Sequence, residues 1–215
     1  MQYHIIPVTV FKQNCSLIWC DQTKEAALID PGGDVSRLRQ EIKMCGVMVN
    51  KILLTHGHLD HVGAARELAS FYKIPIIGPH CNDKLFLDNL SDQCRFFGIG
   101  SIPPLIPDQW LLEGDTINVG NITFSVLHCP GHSPGHVVFW DKAEKFILMG
   151  DVLFKDNIGR TDLPGGDIKT LMQSIHQLMM LDNDIVFLPG HGPMSTLGRE
   201  RFFNPKIEHY YIQNT

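Results

Sequence analysis

Short apolar runs separated by polar turns occupy the first part of the chain. Three of these runs have the length and the β-branched character of strands, at 5–10, 15–19 and 26–29. The third run ends in the turn sequence Asp30-Pro31-Gly32-Gly33. Asp34 then stands where it can cap an amphipathic helix that continues to residue 42. The opening pattern therefore predicts three strands followed by a helix.

A strand, a helix and a strand come next, at 52–54, 62–72 and 74–77. This alternation of strands with helices indicates an α/β protein. The stretch 81–107 is less regular and holds one short predicted helix, around 85–90. We interpret this stretch as a surface excursion that rims a site.

The second half of the chain repeats the theme of strands followed by a helix. Strands are predicted at 116–119, 122–127, 136–140, 146–149 and 185–188. The Gly120-Asn121 turn makes the first two a hairpin, and Asp167 is placed to cap a helix that runs to about residue 181. We expect two similar β-rich halves, each closed by helices, within one domain over 1–215.

Composition and charge narrow the partners and the location. The net charge of -5 argues against nucleic acid as a partner, because phosphate binding needs a basic face. The first residues do not resemble a secretory signal, and no run of about eighteen apolar residues could span a bilayer. The six cysteines form no Cys-x-x-Cys pair, which favours free thiols in a reducing compartment. We therefore expect a cytoplasmic protein that binds neither membrane nor nucleic acid.

Histidine and aspartate residues follow four separate predicted strands. The run His56-Gly57-His58-Leu59-Asp60-His61 follows the first, and His132, Asp151 and His191 follow the other three. The carboxyl ends of strands form the ligand crevices of α/β sheets, so these side chains should converge. His56 and His58 can point one way while Asp60 and His61 point another. With His132 and His191 completing one side each and Asp151 bridging, the spacing allows two adjacent cations.

These motifs resemble the metallo-β-lactamase superfamily. The resemblance rests on Thr55 to His61, Pro130-Gly131-His132, Gly150-Asp151 and Pro189-Gly190-His191-Gly192, which occur in the family's order over nearly the whole chain. Within that superfamily the chain is most similar to small bacterial hydrolases of the glyoxalase II type. The segment from Asp151 to Asp167 and the late Asn204-Pro205 pair carry this closer similarity.

The resemblance implies a fold, a ligand set and a reaction. The implied fold is a four-layer αββα sandwich with its metals at one edge. By position, His56, His58 and His132 resemble the ligands of one metal, and Asp151 resembles the shared bridge. Asp60, His61 and His191 resemble the ligands of the second metal. The implied cofactors are two divalent metal ions, zinc first, with iron or manganese as alternatives. In the implied reaction, a hydroxide between the two ions attacks the carbonyl of a thioester. Asp60 would both ligate a metal and orient this hydroxide.

The implied substrate is an acyl-glutathione, S-D-lactoylglutathione above all. The family's glutathione-binding lysine is matched by Arg160, which could hold a carboxylate, whereas the neighbouring family tyrosine is matched by Asp162. The C-terminal helical domain of two-domain glyoxalase II has no counterpart in this chain. Lys155, Arg199 and Lys206 are further possible anion contacts, although surface solubility explains each of them equally.

Other functions remain open at this point. Persulfide dioxygenases share the fold and a similar Gly-Arg-Thr-Asp segment, and their single iron would use His56, His132 and Asp151. The residues Asn157-Ile158 and Leu163 depart from that pattern and favour the hydrolase. A metal-stabilised scaffold without catalysis is a third interpretation, and a β-lactamase role is disfavoured by Asp151 and by the lack of a secretion signal.

Four further residues near these motifs are interpreted structurally. His136 begins a strand and suits a structural or supporting role behind a ligand. His128 fits a hydrogen-bonded loop or core position, and His176 lies on a helix at the packing or solvent boundary. Cys129 is interpreted as a buried thiol, because Asp151 already fills the bridging role.

Overall fold

The computed structural model describes residues 1–214, apart from the side chains of 211, 213 and 214. The strands are β1 (Gln2–Val8), β2 (Gln13–Trp19), β3 (Glu25–Ile29), β4 (Met48–Leu53), β5 (Ile76–Ile77), β6 (Thr116–Val119), β7 (Ile122–His128), β8 (Val137–Asp141), β9 (Phe146–Gly150), β10 (Leu153–Phe154), β11 (Asn157–Ile158), β12 (Val186–Pro189) and β13 (Ser195–Thr196). The helices are α1 (Val35–Cys45), α2 (Leu59–Val62), α3 (Ala65–Tyr72), α4 (Lys84–Asp88), α5 (Leu90–Phe96), α6 (Ile168–Met179), α7 (Leu197–Phe203) and α8 (Pro205–Asn214), and a 3₁₀ turn spans Cys81–Asp83.

Two mixed sheets form the centre of the molecule. The first has the order β1-β2-β3-β4-β5, and its last three strands are parallel to one another. The second has the order β13-β12-β9-β8-β7-β6, in which β9 and β12 are parallel. Parallel neighbours need a crossover, and here α1, α3 and α6 lie within those crossovers. A two-stranded hairpin of β10 and β11 stands apart from both sheets.

Alternation along the strands separates an inner layer of side chains from two outer ones. Leu28 packs towards the helices, whereas its neighbours Ala27 and Ile29 join Phe124 and Phe139 between the two sheets. A strand's side chains point alternately to opposite faces, so a fully apolar strand can serve both layers. On the far side of the second sheet, the apolar face of α6 completes a third cluster. The layers therefore run helix, sheet, sheet, helix, and the predicted αββα sandwich is confirmed.

Three local details can be compared with the sequence expectations, and two of them differ. The helix expected over 62–72 begins only at Ala65, as α3, and residue 62 instead ends the short helix α2. The Ala64 N–H donates to the Pro31 carbonyl at 2.9 Å and holds the chain between the two helices. Asp34 does not cap α1 with its side chain; it accepts from the Thr9 N–H at 2.8 Å instead. Asp167 does cap α6, accepting from the Thr170 N–H at 2.7 Å.

Candidate metal centre

All seven predicted ligands meet at one edge of the sandwich, in loops that leave the carboxyl ends of strands. His56 follows β4, and His58 immediately precedes α2, which carries Asp60 and His61. His132 lies in the loop between β7 and β8, Asp151 follows β9 directly, and His191 follows β12. The two sheets thus deliver their loops to a common place.

The first group consists of three ring nitrogens. His58 Nδ1 lies 3.0 Å from His56 Nε2 and 2.9 Å from His132 Nε2. The outer nitrogen of His132 faces the Arg160 carbonyl at 2.8 Å, so Nδ1 carries the proton and Nε2 carries the lone pair. The ring of His56 is oriented in the same way, as described next. The Nε2 lone pairs of His132 and His56 therefore converge with His58 Nδ1 on one point.

The orientation of His56 depends on a buried chain of hydrogen bonds. The Thr55 hydroxyl donates to Asp30 Oδ2 at 2.6 Å and stands 3.0 Å from His56 Nδ1. Because the hydroxyl proton is committed to Asp30, the Thr55 oxygen accepts from His56 Nδ1–H. The lone pair of His56 is then left at Nε2, on the side of His58 and His132.

The second group combines two imidazoles with a carboxylate. Asp60 Oδ2 lies 3.1 Å from His191 Nε2 and 3.7 Å from His61 Nε2. His61 Nδ1 donates to Asp30 Oδ2 at 2.9 Å, and His191 Nδ1 donates to the Phe11 carbonyl at 3.2 Å. In their neutral form both rings therefore present an Nε2 lone pair to Asp60, which is itself an acceptor.

Asp151 stands between the two groups and contacts both. Its Oδ1 lies 3.4 Å from His61 Nε2, and its Oδ2 lies 3.6 Å from His191 Nε2 and 3.7 Å from His132 Nε2. The backbone N–H of Asp151 donates to His136 Nε2 at 2.9 Å, which fixes the position of the backbone that carries the carboxylate. A carboxylate placed in this way could help to hold an ion in each group.

Unpartnered buried atoms test whether these residues fit metal ions. His61 Nε2 and Asp151 Oδ1 are both buried, face each other and lack a hydrogen-bond partner. With the ring neutral, two acceptors are opposed in a dry place, and either a proton on the ring or a cation between them would offset the free energy that this costs. Three donor groups converge closely enough for an ion: His56, His58 and His132; Asp30, His56 and His61; and Asp60, His61 and His191. The donors are nitrogen and carboxylate oxygen, a set that zinc and similar divalent ions accept.

The pKa shifts of the histidines differ in direction between the two donor groups. Burial, followed by the neighbouring His132, lowers the pKa of His58 to about 3, and burial also lowers the pKa of His56, so these two rings are neutral. Burial also lowers the pKa of His61, but Asp151 and Asp60 oppose it and leave that pKa well above its ordinary value. For Asp151, burial raises the pKa, but His61 and His132 outweigh it and hold it far below the usual range. The carboxylate of Asp151 is therefore ionised where it meets the second group.

Two supporting residues lie behind the ligands. Asp30 is buried and accepts from the Thr55 N–H at 2.7 Å as well as from His61, yet sequence reasoning treated it only as part of a turn. Its position at the end of β3, on the same sheet edge as the histidine motif, is the signal that could have revealed it. The ring of His136 stacks on His56 with centroids 4.7 Å apart, consistent with the supporting role predicted for it.

Residues interpreted structurally lie outside these groups. His128 Nε2 stands 2.9 Å from the Pro134 carbonyl, and its ring stacks on His80. Cys129 is buried, and burial raises the pKa of its thiol. His176 lies on the exposed side of α6. The three positions agree with the structural interpretation.

A cleft of about 520 Å³ opens onto both groups. Five side chains give it apolar walls: Phe11, Phe97, Phe154, Ile158 and Leu163. Phe97 comes from the stretch 81–107, which sequence reasoning placed at the rim of a site. Lys155 and Arg160 supply positive charge at the cleft, but the Arg160 guanidinium is held by Asp162 through two contacts of 2.7 and 2.6 Å.

The hairpin of β10 and β11, which carries Phe154 and Ile158, is fastened from the C-terminal helices. Asn204 donates to the Asn157 carbonyl at 3.0 Å, and buried Glu200 accepts from the Asp156 N–H at 2.8 Å. The Asn204-Pro205 pair noted in the sequence therefore supports a wall of the cleft. No helix among residues 1–214 is long and apolar enough to cross a membrane.

The comparisons with known proteins agree with this fold, and the fold and the family define a metallohydrolase. The family model of the metallo-beta-lactamase superfamily matches residues 8–191. Hydroxyacylglutathione hydrolase GloC of Haemophilus influenzae is 46% identical over 95% of this chain and 97% of its own. The chain belongs to the metallo-beta-lactamase superfamily and is a metal-dependent hydrolase, so the resemblance and the enzyme class predicted from the sequence are confirmed.

Solved structures give the same fold at high overlap. The BLEG-1 B3 metallo-beta-lactamase superposes with a TM-score of 0.89 at 36% identity, covering 96% of this chain and 99% of that one. TTHA1623, solved in a di-iron-bound form, superposes with a TM-score of 0.87 at 36% identity, covering 94% and 99%. Both chains have nearly the length of this protein.

Metal binding should release protons. The raised pKa of His61 favours the protonated ring when no metal is bound, and a cation that takes the Nε2 lone pair must displace that proton. We expect about one to two protons released per chain and an affinity for Zn²⁺ that increases as the pH rises from about 6 to 8. Calorimetric titration of chelator-treated protein in buffers of different ionisation enthalpy measures this release. Identical heats in all buffers, with an affinity independent of pH, would show that metal binding does not remove a proton from His61.

Proposed function

We propose that this protein is a binuclear metal-dependent thioester hydrolase that cleaves acyl-glutathione, S-D-lactoylglutathione above all, to D-lactate and glutathione. The observation that carries the proposal is the position of Asp151 between two donor groups that both open onto one cleft. The similarity to hydroxyacylglutathione hydrolase GloC supports the choice of substrate. We further propose that residues 1–215 form one domain and act in the cytoplasm, where the free cysteines would stay reduced.

The proposed ligands are divided between the two groups. His56, His58 and His132 would hold one ion, Asp60, His61 and His191 would hold the other, and Asp151 would contact both. When bound, two such cations lower the pKa of a water towards neutrality and polarise the substrate carbonyl. We propose zinc, because nitrogen and carboxylate donors of this kind suit it; iron and manganese accept the same set. The di-iron form of TTHA1623 supports iron as the first alternative.

The chain's own residues account for the rest of the reaction. Asp60 lines the cleft and is partly exposed, so its carboxylate can accept a hydrogen bond from the attacking water and orient it. The thiol leaving group is a weak enough base to depart as the thiolate, and the mechanism therefore needs no strong acid beside it. The walls formed by Phe11, Phe97 and Phe154 limit access of bulk water to the thioester.

A persulfide dioxygenase is the second candidate. His56, His132 and Asp151 provide two imidazoles and one carboxylate, the set that a single catalytic iron would use. The second group favours the hydrolase, since Asp60, His61 and His191 form a complete donor set of their own. Hydrolysis of S-D-lactoylglutathione should therefore exceed persulfide-dependent oxygen uptake in the zinc-loaded and iron-loaded proteins alike. Oxygen uptake without hydrolysis would reject the proposal, and so would hydrolysis of a β-lactam with no thioester turnover.

Replacing Asp60 should separate catalysis from folding. The change Asp60→Asn keeps the size of the side chain but removes its charge, and we expect kcat/KM for the thioester to fall about 10²–10⁴-fold. Zinc content should fall towards one ion per chain, because the second group loses its carboxylate. Asp92→Asn, on an exposed carboxylate paired with Arg95, is the matched control and should leave both unchanged. Full metal content with full activity in Asp60→Asn would refute the assignment.

The ion pair between Arg160 and Asp162 predicts opposite effects on KM when its two partners are replaced. Arg160 must leave Asp162 to hold a substrate carboxylate, so Asp162→Asn should lower KM for lactoylglutathione and Arg160→Ala should raise it. Because these side chains are largely exposed, we expect changes up to about fivefold, with kcat nearly constant. Steady-state kinetics on lactoylglutathione and on an uncharged acyl-N-acetylcysteamine thioester provide the measurement. Equal effects on the two substrates would show that Arg160 does not bind the carboxylate.

A further inference from the structure

Asp83 is a buried carboxylate at the end of the Cys81–Asp83 turn, outside the predicted ligand set. Its oxygens accept from three neutral donors: the Gly57 N–H at 2.8 Å, the Ser133 hydroxyl at 2.8 Å and the Gly135 N–H at 2.5 Å. Burial raises the pKa of this carboxyl, so keeping an acid here costs stability. We therefore expect the Asp83 carboxylate to have a role that offsets this loss of stability.

The three donors belong to the two loops that carry the first donor group. Gly57 lies between His56 and His58, and Ser133 directly follows His132. One carboxylate therefore links the backbone on both sides of the three converging ring nitrogens, which are 2.9–3.0 Å apart. Among its neighbours, Gln93 holds only the first of these loops, through the Leu59 N–H and the Gly57 carbonyl.

Close backbone approach makes the link possible. A Cβ added at Gly135 would lie 2.5 Å from the Asp83 nitrogen and 2.6 Å from the His80 carbonyl oxygen. A Cβ at Gly57 would lie 2.9 Å from Phe86 Cβ and 3.3 Å from the Asp83 carbonyl oxygen. Both loops thus present glycine at the points where they meet the turn, and a larger residue would push the loops away from Asp83.

We propose that Asp83 is a positioning residue for metal binding: by joining the His56–His58 loop to the His132 loop, it sets the spacing of the three imidazoles that would hold the first ion. The second group has no contact with Asp83, since its rings are oriented by Asp30 and by the Phe11 carbonyl. Loss of the Asp83 carboxylate therefore weakens one ion selectively. The fold keeps another link between the same regions, the hydrogen bond from the Val137 N–H to the Thr55 carbonyl at 2.8 Å.

The test uses Asp83→Asn, which keeps the shape but sets an amide N–H₂ against at least one of the three donors. Chelator-treated protein is titrated with Zn²⁺, and ¹⁵N shifts of labelled histidine rings report which site fills. We expect the affinity at His56, His58 and His132 to fall about 10–100-fold, with the site at Asp60, His61 and His191 within about twofold of the unchanged protein. Asp88→Asn, on an exposed helix carboxylate paired with Lys84, is the matched control.

Other results would overturn the proposal. Unchanged affinity at the three-histidine site means that Asp83 does not position it, and equal weakening of both sites with a lower melting temperature means that Asp83 acts only on stability. If Asp83→Asn does not fold, Ser133→Ala decides, because it removes one of the three donors and keeps the charge. That variant should weaken the three-histidine site about two- to tenfold and spare the other. No change in Ser133→Ala would likewise reject the role of Asp83.

Discussion

The structure depends on one electrostatic constraint: imidazole nitrogens and carboxylates are directed at one another in a buried place where, with the rings neutral, they cannot satisfy each other. His61 Nε2 and Asp151 Oδ1 show the constraint most simply: both are buried and neither has a hydrogen-bond partner, and without a metal they attract each other only when the ring takes up a proton. The outer nitrogens of the rings are committed elsewhere, to Asp30, to Thr55 and to backbone carbonyls. Positive charge between the rings is the physical solution, and divalent ions supply it in a compact form.

The rest of the fold serves to bring these groups together. Two sheets packed face to face send their loops to the same edge, and the buried core between them, with Phe124 and Phe139 at its centre, prevents the sheets from shifting. Asp30 orients ligands within the first sheet's loops, whereas Asp83 joins a loop of the first sheet to a loop of the second. The cleft walls come from peripheral elements, above all the hairpin that Asn204 and Glu200 fasten. Substrate preference can therefore change without disturbing the metal ligands.

Much of the fold could be predicted from sequence, because long apolar runs have an unambiguous period. The same logic indicated where His132, Asp151 and His191 would converge, since each follows a strand. The two-residue strands β5, β10, β11 and β13 are too short to show a period, and three of them were not predicted at all. Asp30 and Asp83 were missed for another reason: each works through tertiary contacts with loops 25 to 52 residues away in the chain. The ion pair between Asp162 and Arg160 depends on the rotamers of both side chains, and these rotamers cannot be predicted from the residue types alone.

Anomalous diffraction from crystals grown with Zn²⁺ tests the central claim most directly. The account predicts two strong peaks per chain, one among His56, His58 and His132 and one among Asp60, His61 and His191, with an Asp151 oxygen contacting each. A single peak would contradict the binuclear arrangement and leave the histidines of one group without a cation, and two peaks of which Asp151 contacts only one would contradict the position of Asp151 between the ions.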